Sequence, residues 1–260
     1  MKYSLANVPA TICSLMHLDI MEGAEKEPIA EVTDMFGGEA AERCLFFSPD
    51  AVGAKIVDMY KEDTDSLNDI YSHKIELSSI MPSVTPVCYA TMMSGTMPEV
   101  HGIKKYEKFP IDVETIFHAL AKKGKKGVII AKLESSCEMI FRKAPCDVIV
   151  TESDEDTHNK ALEVIEKDEY DFILVYECGY DDNMHKTNPY TEFSKDAMRY
   201  NIKSAKELFE KAKEKWQGKN AFITFSPDHG VHTDPITKLG THGTSLEDDM
   251  RIYHYFGVIK

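Results

Sequence analysis

Short apolar runs alternate with charged, amphipathic stretches along most of this chain. RCLFFSP (43–49) reads as a buried strand, and a helix follows from AKIVDMYKE (54–62). ETIFHALAKKGKK (114–126) has the spacing of a helix closed at Gly124, and GVIIA (127–131) reads as the next strand. CDVIV (146–150) is a further short strand and EDTHNKALEVIEKD (155–168) a further helix. YDFILVYE (170–177) is the clearest strand, and the segment 191–219 carries a long amphipathic helix ending near Gly218. NAFITFSP (220–227) and IYHYFGVI (252–259) complete the set. Strands separated by helical crossovers predict an α/β fold, a three-layer α/β/α sandwich around a mostly parallel sheet covered on both faces.

One segment departs from the alternation. IELSSIMPSV (75–84) runs into Thr85-Pro86 and then a methionine-rich apolar stretch, Val87 to Ser94, ended by Gly95. Thr85 has the chemistry of an N-cap, with Pro86 at the first helical position and Gly95 as the C-terminal cap. A hydroxyl at the positive end of a buried helix is also well placed for a nucleophile that meets a phosphate.

The bulk numbers narrow the classes. The 260 residues are 43% hydrophobic and 28% charged, which is ordinary globular composition. The net charge of −14 excludes a nucleic-acid duplex as an expected partner, since no stripe of Lys and Arg offsets it. An acidic chain that handles an anionic substrate needs a local positive charge, which a metal ion can supply. The six cysteines lack C-x-x-C spacing and lie mostly in apolar runs, so they are expected to be reduced core residues of a cytoplasmic protein. The N-terminus imitates a signal peptide only weakly, because Pro9 and His17 interrupt its apolar run, and no segment has the length of a membrane span.

In parallel sheets, ligands collect beyond the carboxyl ends of the strands. Asp50 follows the first strand, Asp181 and His185 follow YDFILVYE, and Asp228-His229 follow NAFITFSP. His242 comes shortly before the last strand, and the Thr85 helix belongs to the same edge if 75–84 approaches it. Aspartate and histidine together form a ligand set for Zn2+ and, less strictly, Mn2+. Asp181, His185 and His242 make one candidate group for a divalent ion; Asp50, Asp228, His229 and Thr85 make the other. Asp181 is preferred to Asp182 because it stands one helical turn before His185. His101 is expected to be a structural turn histidine, and His232 is left outside the site.

VTPVCYATMMSGTMPEVHGI, DDNMHKTNP, SPDHGV and THGT, in this order between residues 43 and 257, resemble the motifs of the alkaline phosphatase superfamily. The likeness is greatest to its branch of type I phosphodiesterases and nucleotide pyrophosphatases. It implies an alkaline phosphatase-like fold, a two-zinc site and a covalent phospho-threonine intermediate opened by water. Carried onto this chain, Asp50 takes the first ligand position and Thr85 the nucleophile. Asp181 and His185 take the D-x-x-x-H pair, Asp228 and His229 the D-H-G pair, and His242 the last ligand.

The chain also departs from the family. Where the family often has Asn three residues after the nucleophile, this chain has Cys88, a weak donor. The first-strand motif reads SPDAVG in place of Asp-Gly, and the compact length leaves little room for cap insertions. Cys88, Lys104 and Lys105 are the candidate substrate contacts. One compact domain is expected, with residues 1–42 an N-terminal extension packed on the core and 43–260 the alkaline phosphatase-like catalytic domain. The expected function is hydrolysis of a small phosphodiester or nucleotide pyrophosphate. A phosphonate hydrolase or phosphomonoesterase is the enzymatic alternative, and a metal- or nucleotide-binding protein without turnover the alternative of another class.

Overall fold

A computed structural model describes residues 1–259 of the chain. Its strands, in chain order, are β1 (Tyr3–Ser4), β2 (Arg43–Pro49), β3 (His73–Ser78), β4 (Gly127–Lys132) and β5 (Asp147–Thr151). They continue with β6 (Phe172–Glu177), β7 (Ala221–Phe225), β8 (His232–Thr233), β9 (Gly240–Thr241) and β10 (Arg251–Ile259). Eight of them form one sheet in the order β1-β3-β10-β7-β2-β6-β4-β5, and β8 pairs with β9 in a separate hairpin. Every pairing in the large sheet is parallel except those of β10, which runs antiparallel to both β3 and β7. The mostly parallel sheet expected from the alternation of elements is present.

The strands are apolar on both faces because both faces are covered. In β2, Cys44 and Phe46 enter one core and Leu45 and Phe47 the other. In β6, Phe172, Leu174 and Tyr176 alternate in the same way with Ile173 and Val175. The helices Asn7–Met16, Thr85–Ser94 and Ile116–Lys122 cover the first face, and Asp154–Lys167 and Glu192–Lys215 cover the second. This is the three-layer sandwich.

Local chemistry starts these helices where the sequence marks them. Ser153 accepts from the Asp156 N–H, and Thr191 from the Ser194 N–H. Asp154, Glu155 and Asp156 crowd the first turn of one helix and Lys167 closes its last, as the helix dipole favours.

Two features position the site. First, β7, β2 and β6 are neighbours at the centre of the sheet, so the residues after their carboxyl ends meet. Second, the turns after β2 and β7 touch backbone to backbone. A Cβ on Gly53 would lie 2.4 Å from Gly230 Cα, and one on Gly230 would lie 2.0 Å from the Asp248 carbonyl oxygen. Only glycine permits that approach.

Candidate functional site

Asp50 is the first residue beyond β2, and its side chain is buried. Its N–H donates to the Glu177 carbonyl at 2.8 Å, which fixes the loop to the end of β6. Oδ2 of Asp50 accepts from the Tyr176 hydroxyl and, at 3.3 Å, from the Thr85 hydroxyl. Thr85 itself is buried, and its Oγ1 also lies 3.4 Å from His229 Nε2. The helix is Thr85–Ser94, with Val84 in the cap position and Gly95 closing it at φ 73°. Thr85 therefore occupies the first turn and not the cap expected from sequence. Its hydroxyl makes no capping bond, because Asp50 and His229 have drawn it toward the sheet edge.

The other groups converge on the same point. Asp181 and His185 lie on one helix, Gly179–Lys186, with His185 Nε2 3.4 Å from Asp181 Oδ2. His242 Nε2 stands 3.4 Å from Asp181 Oδ1 and 3.1 Å from His185 Nε2. His229 stacks on His242 with ring centroids 4.0 Å apart. His229 Nε2 is 3.4 Å from both Asp50 Oδ1 and Asp228 Oδ2. Two sets of donor atoms each fall within 4.8 Å of one another: Asp181, His185 and His242, and Asp50, Asp181 and His229. The first set is the one read from the sequence. In the second, Asp181 joins Asp50 and His229, while Asp228 stands beside His229 with Oδ1 accepting from the Ala51 N–H at 3.3 Å.

The donor chemistry fits divalent cations. Each of the three imidazoles spends its Nδ1–H on a backbone carbonyl: His185 on Gly240 at 3.0 Å, His229 on Gly230 at 3.1 Å and His242 on Ser83 at 2.8 Å. That leaves Nε2 of each as a bare lone pair, turned toward the carboxylates and toward one another. Such an outer bond is the usual companion of a metal-bound histidine. Asp50 Oδ1, Asp181 Oδ1 and Asp228 Oδ2 are buried with no hydrogen-bond partner. Orphaned buried oxygens are rare, and three of them around facing imidazole lone pairs make a donor set suited to a divalent cation.

Titration follows the same logic. Burial, followed by the Asp228 charge, holds the Asp50 carboxyl well above its ordinary range, and burial does the same for Asp181 and Asp228. Burial pushes His229 down to about 3 and His242 to about 2, so both rings are neutral at physiological pH and free to ligate.

Beside Asp50, Thr85 and Asp181 lies a cavity of about 110 Å³, whose lining includes Tyr106, Lys108, Lys132, Ser135 and Tyr176. The three substrate contacts read from the sequence are not part of it. The Cys88 thiol turns back to Ser79 Oγ at 3.2 Å, and burial raises its pKa, so it is an inert core thiol. Lys104 is exposed, and Lys105, 74% exposed, pairs with Glu107 at 2.9 Å. Tyr106, itself largely exposed, and Lys108 of the same loop lie along the cavity in their place. Asp182 points away from the imidazoles to Lys132 Nζ at 2.8 Å. His101 is structural, bonded to Thr91 and the Ile103 N–H, and His232 pairs with Asp249 at 2.7 Å. Tyr176, Lys108 and Lys132 had no local signal in the sequence: a tyrosine in an apolar strand and lysines in a charged chain look the same wherever they point.

No curated protein matches the chain as a whole sequence. The model of the type I phosphodiesterase / nucleotide pyrophosphatase family matches residues 44–119, the stretch that carries Asp50 and Thr85. Among solved structures, phosphonoacetate hydrolase from Sinorhizobium meliloti 1021, in complex with phosphonoformate, superposes with a TM-score of 0.57 at 13% identity, over 76% of this chain and 59% of that one. Murine ectonucleotide pyrophosphatase / phosphodiesterase 5, in an inactive form with AMP, gives a TM-score of 0.55 at 16% identity, over 75% and 59%. The human protein of the same name gives 0.53 at 18%, over 74% and 58%. The chain thus spans about three fifths of the length of the structures it resembles. The family's sequence pattern thus runs through β2 and the Thr85 helix, and over most of the chain the fold is the one shared by these solved structures.

Proposed function

We propose that this chain is a metal-dependent hydrolase of phosphoric esters, with Thr85 as nucleophile. Asp50, Asp181, His185, Asp228, His229 and His242 would hold two divalent ions, zinc before manganese given the carboxylate and imidazole donors. The observation that carries this reading is the buried Thr85 hydroxyl, 3.3 Å from Asp50 Oδ2 and 3.4 Å from His229 Nε2, capping nothing. When bound, the ions supply Lewis acidity, which acidifies a neighbouring hydroxyl and neutralises phosphoryl charge.

The chain's own groups do the rest. Asp50 and His229 aim the hydroxyl, and the positive end of the Thr85–Ser94 helix favours an incoming anion. The Thr85 oxygen bonds to phosphorus, the bond from phosphorus to the ester oxygen breaks, and the hydroxyl's proton returns to the departing alcohol through solvent. Water then opens the phospho-threonine.

The family match over residues 44–119 supports diesters or nucleotide pyrophosphates as substrates. The likeness to a phosphonoacetate hydrolase, at a TM-score of 0.57, supports a second reading, cleavage of a small phosphonate. A small phosphorylated partner and a cytoplasmic setting, the latter from six unpaired cysteines, belong to the same proposal. Among the described residues no helix is long and apolar enough to cross a membrane.

The test is hydrolysis of bis-p-nitrophenyl phosphate beside p-nitrophenyl phosphate by the zinc-loaded chain. The diester should be cut faster, and Thr85→Ala should lose about 10⁴-fold or more in kcat. Faster cleavage of the monoester refutes the diesterase assignment, and undiminished turnover in Thr85→Ala refutes the nucleophile. If neither ester is cut, release of phosphate from phosphonoacetate selects the second reading. Metal binding without turnover of any of these selects a binding protein.

A further inference from the structure

Tyr176 is the last but one residue of β6, on the face that packs against the Thr85–Ser94 helix. Its side chain is buried, lines the cavity beside Thr85, and gives its hydroxyl hydrogen to Asp50 Oδ2. The same oxygen takes the Thr85 hydroxyl at 3.3 Å. Both of these bonds fall on Oδ2, and Oδ1 is left without a partner, 3.4 Å from His229 Nε2, in a residue that shares a donor group with Asp181 and His229.

The division of labour between the two oxygens is imposed from outside the carboxylate. Among the described residues no other hydroxyl or amide donates to the Asp50 side chain. Of the two donors on Oδ2, Thr85 must leave when it reacts. Tyr176 does not leave. Its ring stands edge-on to Tyr89, with centroids 5.2 Å apart and planes at 85°. Tyr89 in turn donates to Ser48 Oγ, and Ser48, opposite Tyr176 in the β2–β6 register, donates to the Ser226 carbonyl at 2.5 Å. A phenylalanine would fill the same space against Tyr89. The hydroxyl is therefore not there for packing.

We infer that Tyr176 is a positioning residue: its hydroxyl occupies Oδ2 of Asp50, so that Oδ1 alone is presented to a cation and the nucleophile keeps its aim. The inference rests on the metal-hydrolase reading above and adds a residue to it. Partners of this kind, bonded to a ligand and not to the ion, commonly change metal affinity or activity by about 10- to 100-fold.

The experiment is zinc binding to the full chain, by competition with a chromogenic chelator, for the unaltered protein and for Tyr176→Phe. The visible spectrum of the cobalt-substituted forms is recorded beside it. The unaltered chain should bind two ions. Tyr176→Phe should keep one at the original affinity and weaken the other about 10- to 100-fold. The cobalt bands of that second ion alone should shift, and kcat should fall more than KM rises. A purely packing role for Tyr176 would move none of these. Tyr176→Met removes the hydroxyl with a different apolar filling, so a folding failure of one variant leaves the other to decide. Two ions bound at unaltered affinity, with unaltered cobalt bands, overturn this inference alone. An unaltered chain that binds no zinc overturns the hydrolase reading and the inference with it.

Discussion

Glu177→Gln should make this protein more stable, by an amount that grows with pH. Glu177 ends β6 next to Tyr176, fully buried on the opposite face of the sheet. It accepts from Ser204 Oγ at 2.5 Å and from Asn201 Nδ2 at 2.8 Å. Two donors do not offset the loss of water. Burial, followed by the negative charge of Asp154, raises its pKa well above the ordinary 4.5.

The sign follows from linkage. A carboxyl whose folded pKa is raised contributes most below its unfolded value, and that contribution is lost as pH rises through the folded value. In that window the folded protein must keep a proton that the unfolded chain releases, at a cost of about 1.4 kcal/mol per pH unit. Glutamine carries no such cost, and it satisfies the same network. Its oxygen accepts from Asn201 and its amide donates to Ser204 Oγ. Ser204 then donates to His158 Nδ1, 2.7 Å away, and His158 Nε2–H to Glu207 at 3.0 Å.

The assay is thermal or urea unfolding of both proteins at half-unit steps from pH 5 to 8.5. The gap in stability should widen by about 1.4 kcal/mol per pH unit. In a chain of this size that is about 3–6 °C per pH unit. The widening should stop where the folded carboxyl finally ionises. A gap that is flat with pH, or a glutamine variant that is less stable throughout, would refute the argument.

Two further predictions concern the site. Asp181 offers an oxygen to both donor sets, so Asp181→Asn should weaken both metal ions, by about 100-fold or more, where loss of an outer partner weakens one; retention of either ion at full affinity, measured by chelator competition, would separate the two sets. Gly230→Ala would set a Cβ 2.0 Å from the Asp248 carbonyl oxygen, and since backbone cannot step aside cheaply it should cost about 3 kcal/mol, or about 6–12 °C in the melting temperature. A variant melting within a degree or two of the parent would show that the turn is looser than its geometry implies.

The sequence carried the fold wherever a strand is buried on both faces. RCLFFSP, GVIIA, DFILVYE, AFITF and IYHYFGVI are continuous apolar runs, and all are strands of the large sheet. It was silent on β3. HKIELS alternates polar and apolar residues and stays half exposed, because β3 lies near the sheet's edge, so it lacks the continuous apolar run that marks the central strands. The two-residue strands β1, β8 and β9 are too short to leave any period.

For the site, the rule that ligands gather at strand ends grouped Asp50, Asp181, His185, Asp228 and His229 from chain order, and His242 joined them by its place shortly before the last strand. What chain order lacks is direction. It could not show that Asp181 faces both donor sets, or that Cys88 turns back toward Ser79. Nor could it show that the loop after Ile103 presents Tyr106 and Lys108 to the cavity and leaves Lys104 and Lys105 in water.

The contact of Gly53 with Gly230 has a consequence for how this site tolerates change. The loops bearing Asp50 and Asp228 meet main chain to main chain there, with the Asp228 carboxylate accepting from the Ala51 N–H beside them, so backbone contact largely sets the gap between these two carboxylates. Substitutions in either core can swell or shrink their layers without passing that change across the contact. The spacing of the two acids is thus insulated from drift in the surrounding sequence. The same arrangement concentrates its vulnerability: two positions without side chains carry the alignment of both loops, and neither can be exchanged for anything larger.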